Sequence, residues 1–198
     1  MEYPFTYKSS RDFEIKLYSG LTIFVGPNGS GKTRTLKEMR DHFKSKRKKV
    51  RYLSSNRLGE MEQYRSITNQ FSYSIESYSV GDLNKKKVRD KIETISGDFF
   101  AMDEKRDVYI KVAERLSTMF GRQIYLKWDN GNLKIFFEKK DDLKEYSVVL
   151  EASGLVNIVS ILAALYDDDM EILLIDEPEV SLHPQLQSYL LREMKSAA

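Results

Sequence analysis

Short runs of apolar and polar residues predict regular elements in the first quarter of the chain. Residues 3–7 and 13–18 alternate apolar with polar positions, which predicts two half-buried strands. Residues 21–25 are apolar and partly β-branched, and they predict a buried strand. Residues 32–43 predict a helix, and residues 50–54 predict a further short strand. The distance between the last two strands suits a βαβ crossover.

The middle of the chain is less regular. Residues 66–82 alternate around Phe71, Tyr73 and Ile75, a pattern with two interpretations, a strand or an irregular loop. Residues 82–95 are polar and lysine-rich and predict a helix. Residues 104–120 predict another helix that Gly121 ends. The apolar face of that helix consists of Val108, Val112, Leu116 and Met119.

A β-meander and a buried helix are predicted next. Residues 124–128 and 133–137 flank Asn130-Gly131, and this arrangement is typical of a β-hairpin. Residues 146–150 predict a third strand. Residues 154–166 are apolar on nearly every side, which predicts a buried helix. Residues 172–175 are four consecutive aliphatic residues and predict a central parallel strand covered on both faces.

A glycine-rich turn between a predicted strand and a predicted helix carries the strongest chemical signal. Residues 26–33 read GPNGSGKT and fit the phosphate-binding pattern G-x-x-x-x-G-K-[ST]. The backbone N–H groups of such a turn and the helix dipole favour an anion. Lys32 would reach the β- and γ-phosphates of a nucleotide, and the Thr33 hydroxyl would bind Mg²⁺. The predicted nucleotide-binding residues are Asn28, Gly29, Ser30, Gly31, Lys32, Thr33 and Arg34.

Two carboxylates follow the aliphatic run at 172–175. Asp176 and Glu177 would lie at the carboxyl end of a parallel strand, the edge at which a phosphate-binding loop also lies. Asp176 is therefore a predicted Mg²⁺ ligand, usually through water. Glu177 is predicted to polarise the attacking water, and it forms the predicted catalytic pair with Lys32.

Two basic features have alternative interpretations. Arg57 follows a predicted parallel strand, so it could face a nucleotide at the strand ends, or form a surface salt bridge. The basic run at 44–49 is either a solvated helix end, where cations suit the dipole, or a patch that contacts DNA.

Composition narrows the protein class. The 198 residues include 32 Lys and Arg and 30 Asp and Glu, so the net charge is near zero. This balance argues neither for nor against binding of nucleic acid. The chain has no cysteine, which excludes disulfides and cysteine-based zinc sites. Its first residues lack a signal-peptide pattern, and no apolar run is long enough to span a bilayer. We therefore expect a cytoplasmic protein with no membrane partner.

Together these motifs resemble an ABC-type ATPase. The resemblance rests on GPNGSGKT at 26–33, on Glu-Ala-Ser-Gly at 151–154 and on ILLIDEPEVSLHPQLQ at 172–187. It is closest to the soluble branch of SMC-like, RecF-like and OLD-like ATPases, which includes AAA-family ATPases of phage-defence systems. The string DEPEVSLHP is its most specific part, and the resemblance covers roughly residues 1–60 and 145–198.

The resemblance implies roles for residues distant from the loop. Ser153 and Gly154 match the Ser-Gly of the ABC signature, which contacts the γ-phosphate bound by the opposing subunit. We expect Ser153 to cap the buried helix, and the N-terminus of that helix could receive an anion. His183 occupies the region of the D-loop, in a turn between two prolines. It is therefore either a contact across a dimer interface or an ordinary turn residue.

The chain departs from the family pattern at three places. Its signature is only Ala-Ser-Gly-Leu, without the flanking Leu and the second Gly. The sequence does not identify a Q-loop glutamine, for which Gln63 and Gln70 are both candidates. The family also has a later strand that ends in a switch histidine, and neither His42 nor His183 is in that position. We therefore expect a C-terminally truncated domain, and the alternative is a site that lacks this histidine.

These observations lead to one expectation and two alternatives. We expect an α/β P-loop NTPase, similar to an ABC-ATPase head, with a mainly parallel central sheet, an antiparallel N-terminal β layer and an inserted helical and β-meander lobe at 60–145. It would bind ATP and Mg²⁺, form an ATP-dependent homodimer, hydrolyse ATP and gate an effector protein or a further C-terminal domain. The alternatives are an ATP-dependent switch without hydrolysis and a transporter ATPase subunit. Binding of nucleic acid stays open.

Overall fold

The computed structural model of the protein describes residues 4–10, 13–57, 77–78, 95–129, 132–142 and 144–197. The chain divides into two compact units. The first unit joins residues 1–55 to residues 168–198, and the second unit is the continuous stretch 56–167. The predicted lobe at 60–145 lies inside the second unit, which extends further and also contains the predicted buried helix.

The first unit packs one amphipathic helix against short strands. Strands β1 (Phe5–Lys8) and β2 (Glu14–Leu17) pair antiparallel, as the predicted N-terminal β layer requires. Helix α1 (Lys32–Ser45) buries one face through residues at helical spacing. Strand β3 (Val50–Leu53) is buried at every position. The core of this unit consists of Tyr7, Leu36, Met39, Phe43, Val50, Tyr52 and Leu174.

A parallel pair of strands carries the predicted carboxylates. Strand β8 (Ile172–Ile175) runs parallel to β3, with Val50 opposite Ile172 and Leu53 opposite Ile175. The prediction of a strand covered on both faces is wrong for the described residues, because only Leu174 of β8 is buried. In the described part of the chain β8 pairs with β3 alone, so no strand lies at its other edge, and three of its four side chains are partly exposed.

The segment at 21–25 also departs from its prediction. The structure assigns no strand to these residues, and Ile23 and Val25 are 58% and 91% exposed. A strand needs a hydrogen-bonded neighbour, and none of the described strands pairs with this segment. An apolar, β-branched sequence is therefore insufficient to form a buried strand here.

The second unit contains the predicted β-hairpin. Strand β5 (Arg122–Asp129) pairs antiparallel with β6 (Asn132–Lys139), with Arg122 opposite Lys139, which confirms the hairpin. The turn residues 130–131 lie outside the described residues. Strands β4 (Ser77–Tyr78) and β7 (Glu145–Ser147) each pair antiparallel with β6. The third strand was predicted at 146–150, but residues 148–150 form a 3₁₀ turn.

Three helices complete the second unit. These are α2 (Ile95–Glu104), α3 (Arg106–Phe120) and α4 (Ser153–Leu165). Every residue of α4 from 154 to 164 is buried, as predicted. The apolar stripe on α3 is confirmed except at Met119, which is 49% exposed. Met119 lies in the last turn of α3, just before Gly121 ends the helix at φ 57°.

Helix α5 (Pro184–Ala197) ends the first unit. The sequence patterns predicted neither α2 nor α5. The predicted helix at 82–95 and most of the alternating segment at 66–82 lie outside the described residues. Among the described residues, none of the helices combines the length and the apolar composition that a bilayer crossing requires.

Candidate functional site

The glycine-rich loop at 26–33 has the backbone shape that its sequence predicts. Gly29 and Gly31 have φ of 80° and 91°, values that residues with a Cβ rarely adopt. Gly31 is the N-cap of α1, and its carbonyl accepts the N–H of Thr35 at 2.9 Å. The loop therefore leads directly into a helix N-terminus, where backbone N–H groups and the dipole attract an anion.

Lys32 is held over this loop. Its ammonium donates hydrogen bonds to the carbonyls of Gly26 at 2.7 Å and Pro27 at 3.1 Å. The positive charge therefore lies against the loop backbone. A phosphate in the loop would meet both the backbone N–H groups and this charge.

One cavity joins the loop to the end of β8. Its volume is about 490 Å³, within the range of about 300–1,000 Å³ that is usual for small-molecule sites. A face of α1 extends the cavity beyond the loop. The lining residues are Asn28, Gly29, Gly31, Lys32, Thr33, Arg34, Lys37, Glu38, Asp41 and Glu177. The structure thus brings the predicted catalytic residues Lys32 and Glu177 to one cavity, together with five of the other predicted nucleotide-binding residues.

The two predicted carboxylates have different environments. Asp176 is only 2% exposed and does not line the cavity. Its Oδ2 accepts a hydrogen bond from the Tyr52 hydroxyl at 3.4 Å, and its N–H donates to the Leu53 carbonyl at 2.9 Å. Glu177 lines the cavity and has a φ of 48°. This left-handed conformation is costly for glutamate, and strained residues of this kind cluster at functional sites.

A carboxylate on α1 organises the outer part of the cavity. Glu38 accepts hydrogen bonds from Ser10 at 2.9 Å, Arg34 at 3.0 Å and Ser9 at 3.1 Å. The Ser10 hydroxyl, followed by Arg34, lowers the pKa of Glu38, so this group is charged at neutral pH. Sequence reasoning missed Glu38. Its spacing of four residues from Arg34, which places both on one helix face, is the signal that could have found it.

The predicted signature residues belong to the second unit. Ser153 and Gly154 form the first turn of α4, and neither lines the cavity. The expectation that Ser153 caps this helix is wrong, because the N-cap is Ala152 and no side chain bonds there. Ala152 has the extended backbone of an N-cap residue, so the helix begins one position earlier than predicted.

His183 is the residue directly before α5. Its Nδ1 accepts the N–H of Gln185 at 3.4 Å, and its carbonyl accepts the N–H of Leu186 at 2.8 Å. These bonds make His183 the N-cap of α5. Pro184 occupies the first helical position, where proline is favoured. His183 is exposed and does not line the cavity.

The nucleotide-facing interpretation of Arg57 stays a prediction, and the surface salt-bridge interpretation is wrong. Its side chain is only 1% exposed, so Arg57 is not on the surface. It lies in the second unit, where its Nε donates to the side-chain oxygen of Asn157 on α4. The Q-loop candidates Gln63 and Gln70 lie outside the described residues. Within the basic run, Lys48 pairs with Glu171 at 2.9 Å.

The first unit contains the two predicted Mg²⁺ ligands, Thr33 and Asp176. The described residues contain no group of three His, Cys, Asp or Glu side chains suited to a metal ion. Mg²⁺ at nucleotide sites does not require such a group, because it takes one or two protein oxygens together with phosphate oxygens and water. Of the two predicted Mg²⁺ ligands, Thr33 lines the cavity and Asp176 does not, so the hydroxyl of Thr33 is the predicted ligand that a Mg²⁺ bound with a nucleotide could use directly.

Comparison with known families supports a nucleotide-binding domain. Residues 34–198 match the model of the family described as "AAA domain, putative AbiEii toxin, Type IV TA system". The match begins directly after GPNGSGKT, so the loop is evidence additional to it. No curated protein and no solved structure matches the chain significantly. The family match covers most of the chain, and the chain therefore belongs to this AAA domain family of P-loop ATPases, which indicates an α/β fold with nucleotide binding and hydrolysis.

Proposed function

We propose that the chain is the ATPase head of an ABC-type protein similar to the SMC, RecF and OLD ATPases. It binds ATP with Mg²⁺ and hydrolyses the γ-phosphate bond. It dimerises on ATP and thereby gates an effector. The observation that carries the proposal is the single cavity lined by the glycine-rich loop, Lys32 and Glu177.

The first unit supplies the groups that the chemistry needs. The loop N–H groups and Lys32 hold the phosphates and balance the charge that spreads over the γ-phosphoryl oxygens during transfer. Glu177 accepts a hydrogen bond from the attacking water and orients it. Thr33 and Asp176 would hold Mg²⁺, which when bound would neutralise further phosphate charge. Burial of Asp176 beside Tyr52 keeps its carboxylate in one orientation.

The second unit supplies the contact between two heads. In the proposed dimer, Ser153 and Gly154 of one protomer meet the γ-phosphate held by the loop of the other. Because α4 is buried along its length, its first turn would be held rigidly for this contact. The first unit would add a second contact, because His183, exposed before α5, would also meet the other protomer.

The biological role follows by analogy with the family description. That description names a putative toxin of a Type IV toxin–antitoxin system. We propose that the ATP-bound dimer controls an effector of this general kind, a nuclease or another enzyme that acts on nucleic acid, in defence against phage. Fold and cavity do not specify the effector, so this step rests on the family.

An ATP-dependent switch without turnover is the second candidate. It is favoured by the placement of Asp176, which is buried and bonded to Tyr52 and is not among the residues that line the cavity. If Asp176 stays in this position, the Mg²⁺ site is weaker and hydrolysis is slow. ATP binding and dimerisation would then be the signal.

The test of the dimer is the solution mass of Glu177→Gln with and without Mg-ATP. Removing the carboxylate slows hydrolysis and traps any ATP-bound dimer, so we expect the mass to double with Mg-ATP. Adding Ser153→Arg, which places a bulky side chain in the first turn of α4, should abolish the doubling and leave ATP binding intact. An unchanged mass for Glu177→Gln with ATP bound would reject the composite dimer.

A further inference from the structure

A partly buried ion pair between Arg122 and Glu151 lies beside the first turn of α4. Glu151, immediately before the N-cap, is 8% exposed. Its Oε2 accepts hydrogen bonds from Arg122 Nε at 3.0 Å and from the Tyr146 hydroxyl, and its Oε1 accepts the N–H of Ala152 at 2.8 Å. Arg122 also donates to the Phe120 carbonyl at 3.3 Å. The start of β5, strand β7 and the start of α4 are therefore tied together.

The charge states in this group are well defined. Burial alone would raise the pKa of Glu151, but hydrogen bonds from Tyr146, the Ala152 N–H and Arg122 outweigh it and hold the pKa below its usual value. Burial and the bond to Glu151 raise the pKa of Tyr146 to about 12, so Tyr146 remains a donor. At neutral pH, Glu151 is a full negative charge, and Arg122 is the cation that compensates it.

This charge lies next to the N–H groups that the proposed dimer uses. The first N–H groups of a helix have no partner within the helix. In the described part of the chain, no acceptor bonds to the N–H of Ser153 or Gly154. An anion there would benefit from the helix dipole, but an uncompensated carboxylate on Glu151, the residue before the N-cap, would repel it.

We propose that Arg122 is a positioning residue for the composite site, an inference that rests on the proposed ATP-dependent dimer. Arg122 cancels the charge of Glu151 and fixes its carboxylate on the Ala152 N–H. The first turn of α4 can then receive the γ-phosphate of the partner protomer. Because Arg122 is the first residue of β5, the hairpin of the second unit is mechanically connected to this turn.

The test uses charge removal in the Glu177→Gln background, with the dissociation constant of the Mg-ATP dimer as the readout. Arg122→Gln leaves the buried carboxylate uncompensated, and we expect about a tenfold or greater weakening of the dimer, as for like charges brought together at an interface. Glu151→Gln leaves only the cation, and we expect a dimer as tight as the parent or tighter. In the double variant Arg122→Gln with Glu151→Gln, both charges are absent, and the dimer should recover to within about threefold of the parent.

A merely structural role gives a different pattern. If the ion pair only stabilises the second unit, Arg122→Gln should lower the thermal stability of the monomer without weakening the dimer of its folded form. A dimer of Arg122→Gln as tight as the parent, or one that the added Glu151→Gln does not restore, would overturn the proposal. Arg106→Gln is the matched control, since Arg106 is an exposed arginine at the first position of α3 and should leave the dimer unchanged.

Two further measurements separate the possible failures. Thermal unfolding without nucleotide shows whether each variant is folded, and the affinity of the monomer for ATP should be the same in all of them. If the Glu177→Gln parent itself fails to dimerise with bound ATP, the proposed function fails, and this inference fails with it. If the parent dimerises and the charge pattern is absent, only the role of Arg122 is rejected.

Discussion

The two units of the molecule differ in the burial of their apolar residues and in backbone strain. In the second unit, α4 is buried along its length, and its polar residues Asn157 and Ser160 are bonded to Arg57 and Asp98. The first unit leaves β8 half-covered. It also exposes the segment before the loop and holds Glu177 at a positive φ.

This difference shows where stability and chemistry reside. A helix buried on all sides gains free energy from removing apolar surface from water, and its polar groups are tolerated because they are bonded. A nucleotide site needs accessible backbone N–H groups and a carboxylate aimed at a cavity, even at a cost in backbone strain. The second unit should therefore respond to mutation mainly in stability, and the first mainly in binding and catalysis.

Truncation of the buried helix should give the largest effect. Leu162 of α4 is 0% exposed, and Leu162→Ala should cost about 3 kcal/mol of unfolding free energy, as is usual for buried leucine. The matched variant Leu173→Ala, in half-buried β8, should cost about 1 kcal/mol. Urea unfolding followed by circular dichroism measures both losses, and the fluorescence of Trp128, the single tryptophan, reports the second unit. Equal losses of unfolding free energy in the two variants would contradict the difference between the units.

Loss of the loop lysine should affect binding. Lys32→Ala removes the charge that lies against the loop carbonyls, and we expect the affinity for Mg-ATP to fall about 100-fold, about 2.7 kcal/mol. Titration calorimetry measures this affinity. Lys46→Ala, at the exposed C-terminal end of the same helix, is the control and should bind as the parent does. Unchanged affinity in Lys32→Ala would remove the loop from the nucleotide site.

Relief of the strain at Glu177 should raise stability while removing activity. Glu177→Gly fits a φ of 48° without the steric cost of a side chain, so we expect a gain of about 1 kcal/mol and a rise in Tm of about 2–4 °C. Ser181→Gly, at φ 63° in the following turn, should give a similar gain and retain ATP turnover. A lower Tm for Glu177→Gly would show that the conformation of Glu177 is not strained.

Protonation of Glu151, in the second unit, should give the smallest effect. Glu151 has a lowered pKa, so its contribution to stability is complete above the ordinary glutamate value of 4.5 and is lost as the pH falls through the lower folded value. Between pH 7 and pH 3, the unfolding free energy should therefore fall further in the wild type than in Glu151→Gln. The difference between the two decreases should be at most about 1 kcal/mol. Urea unfolding followed by Trp128 measures this difference. Parallel pH profiles would mean that the bonds to Glu151 add no net stability.

Local sequence signals predicted much of both units. The glycine pattern predicted the loop and the start of α1 at Lys32, because few other residues permit φ above zero before a helix. The Asn-Gly pair predicted the β5–β6 hairpin, and all-round apolarity predicted the burial of α4. Each of these features depends on residues close in sequence.

The errors concern features that depend on distant residues. Apolarity at 21–25 does not specify which strand would pair with the segment. Arg57 is buried because Asn157, a hundred positions later, accepts its hydrogen bond. The position of the α4 cap depends on the backbone angles of Ala152, and its neighbour Glu151 is organised by Arg122 and Tyr146 from the meander.

ATP turnover of Glu177→Gln is the most direct test of the account, measured together with ATP binding in the same samples. We expect this variant to bind Mg-ATP as tightly as the wild type and to release phosphate at least about 100-fold more slowly, because the group that orients water is lost. The wild type should exceed the background of Lys32→Ala. Two results would contradict the assignment of this cavity as a hydrolytic site. One is phosphate release by Glu177→Gln at the rate of the wild type, and the other is a wild-type rate no faster than that of Lys32→Ala.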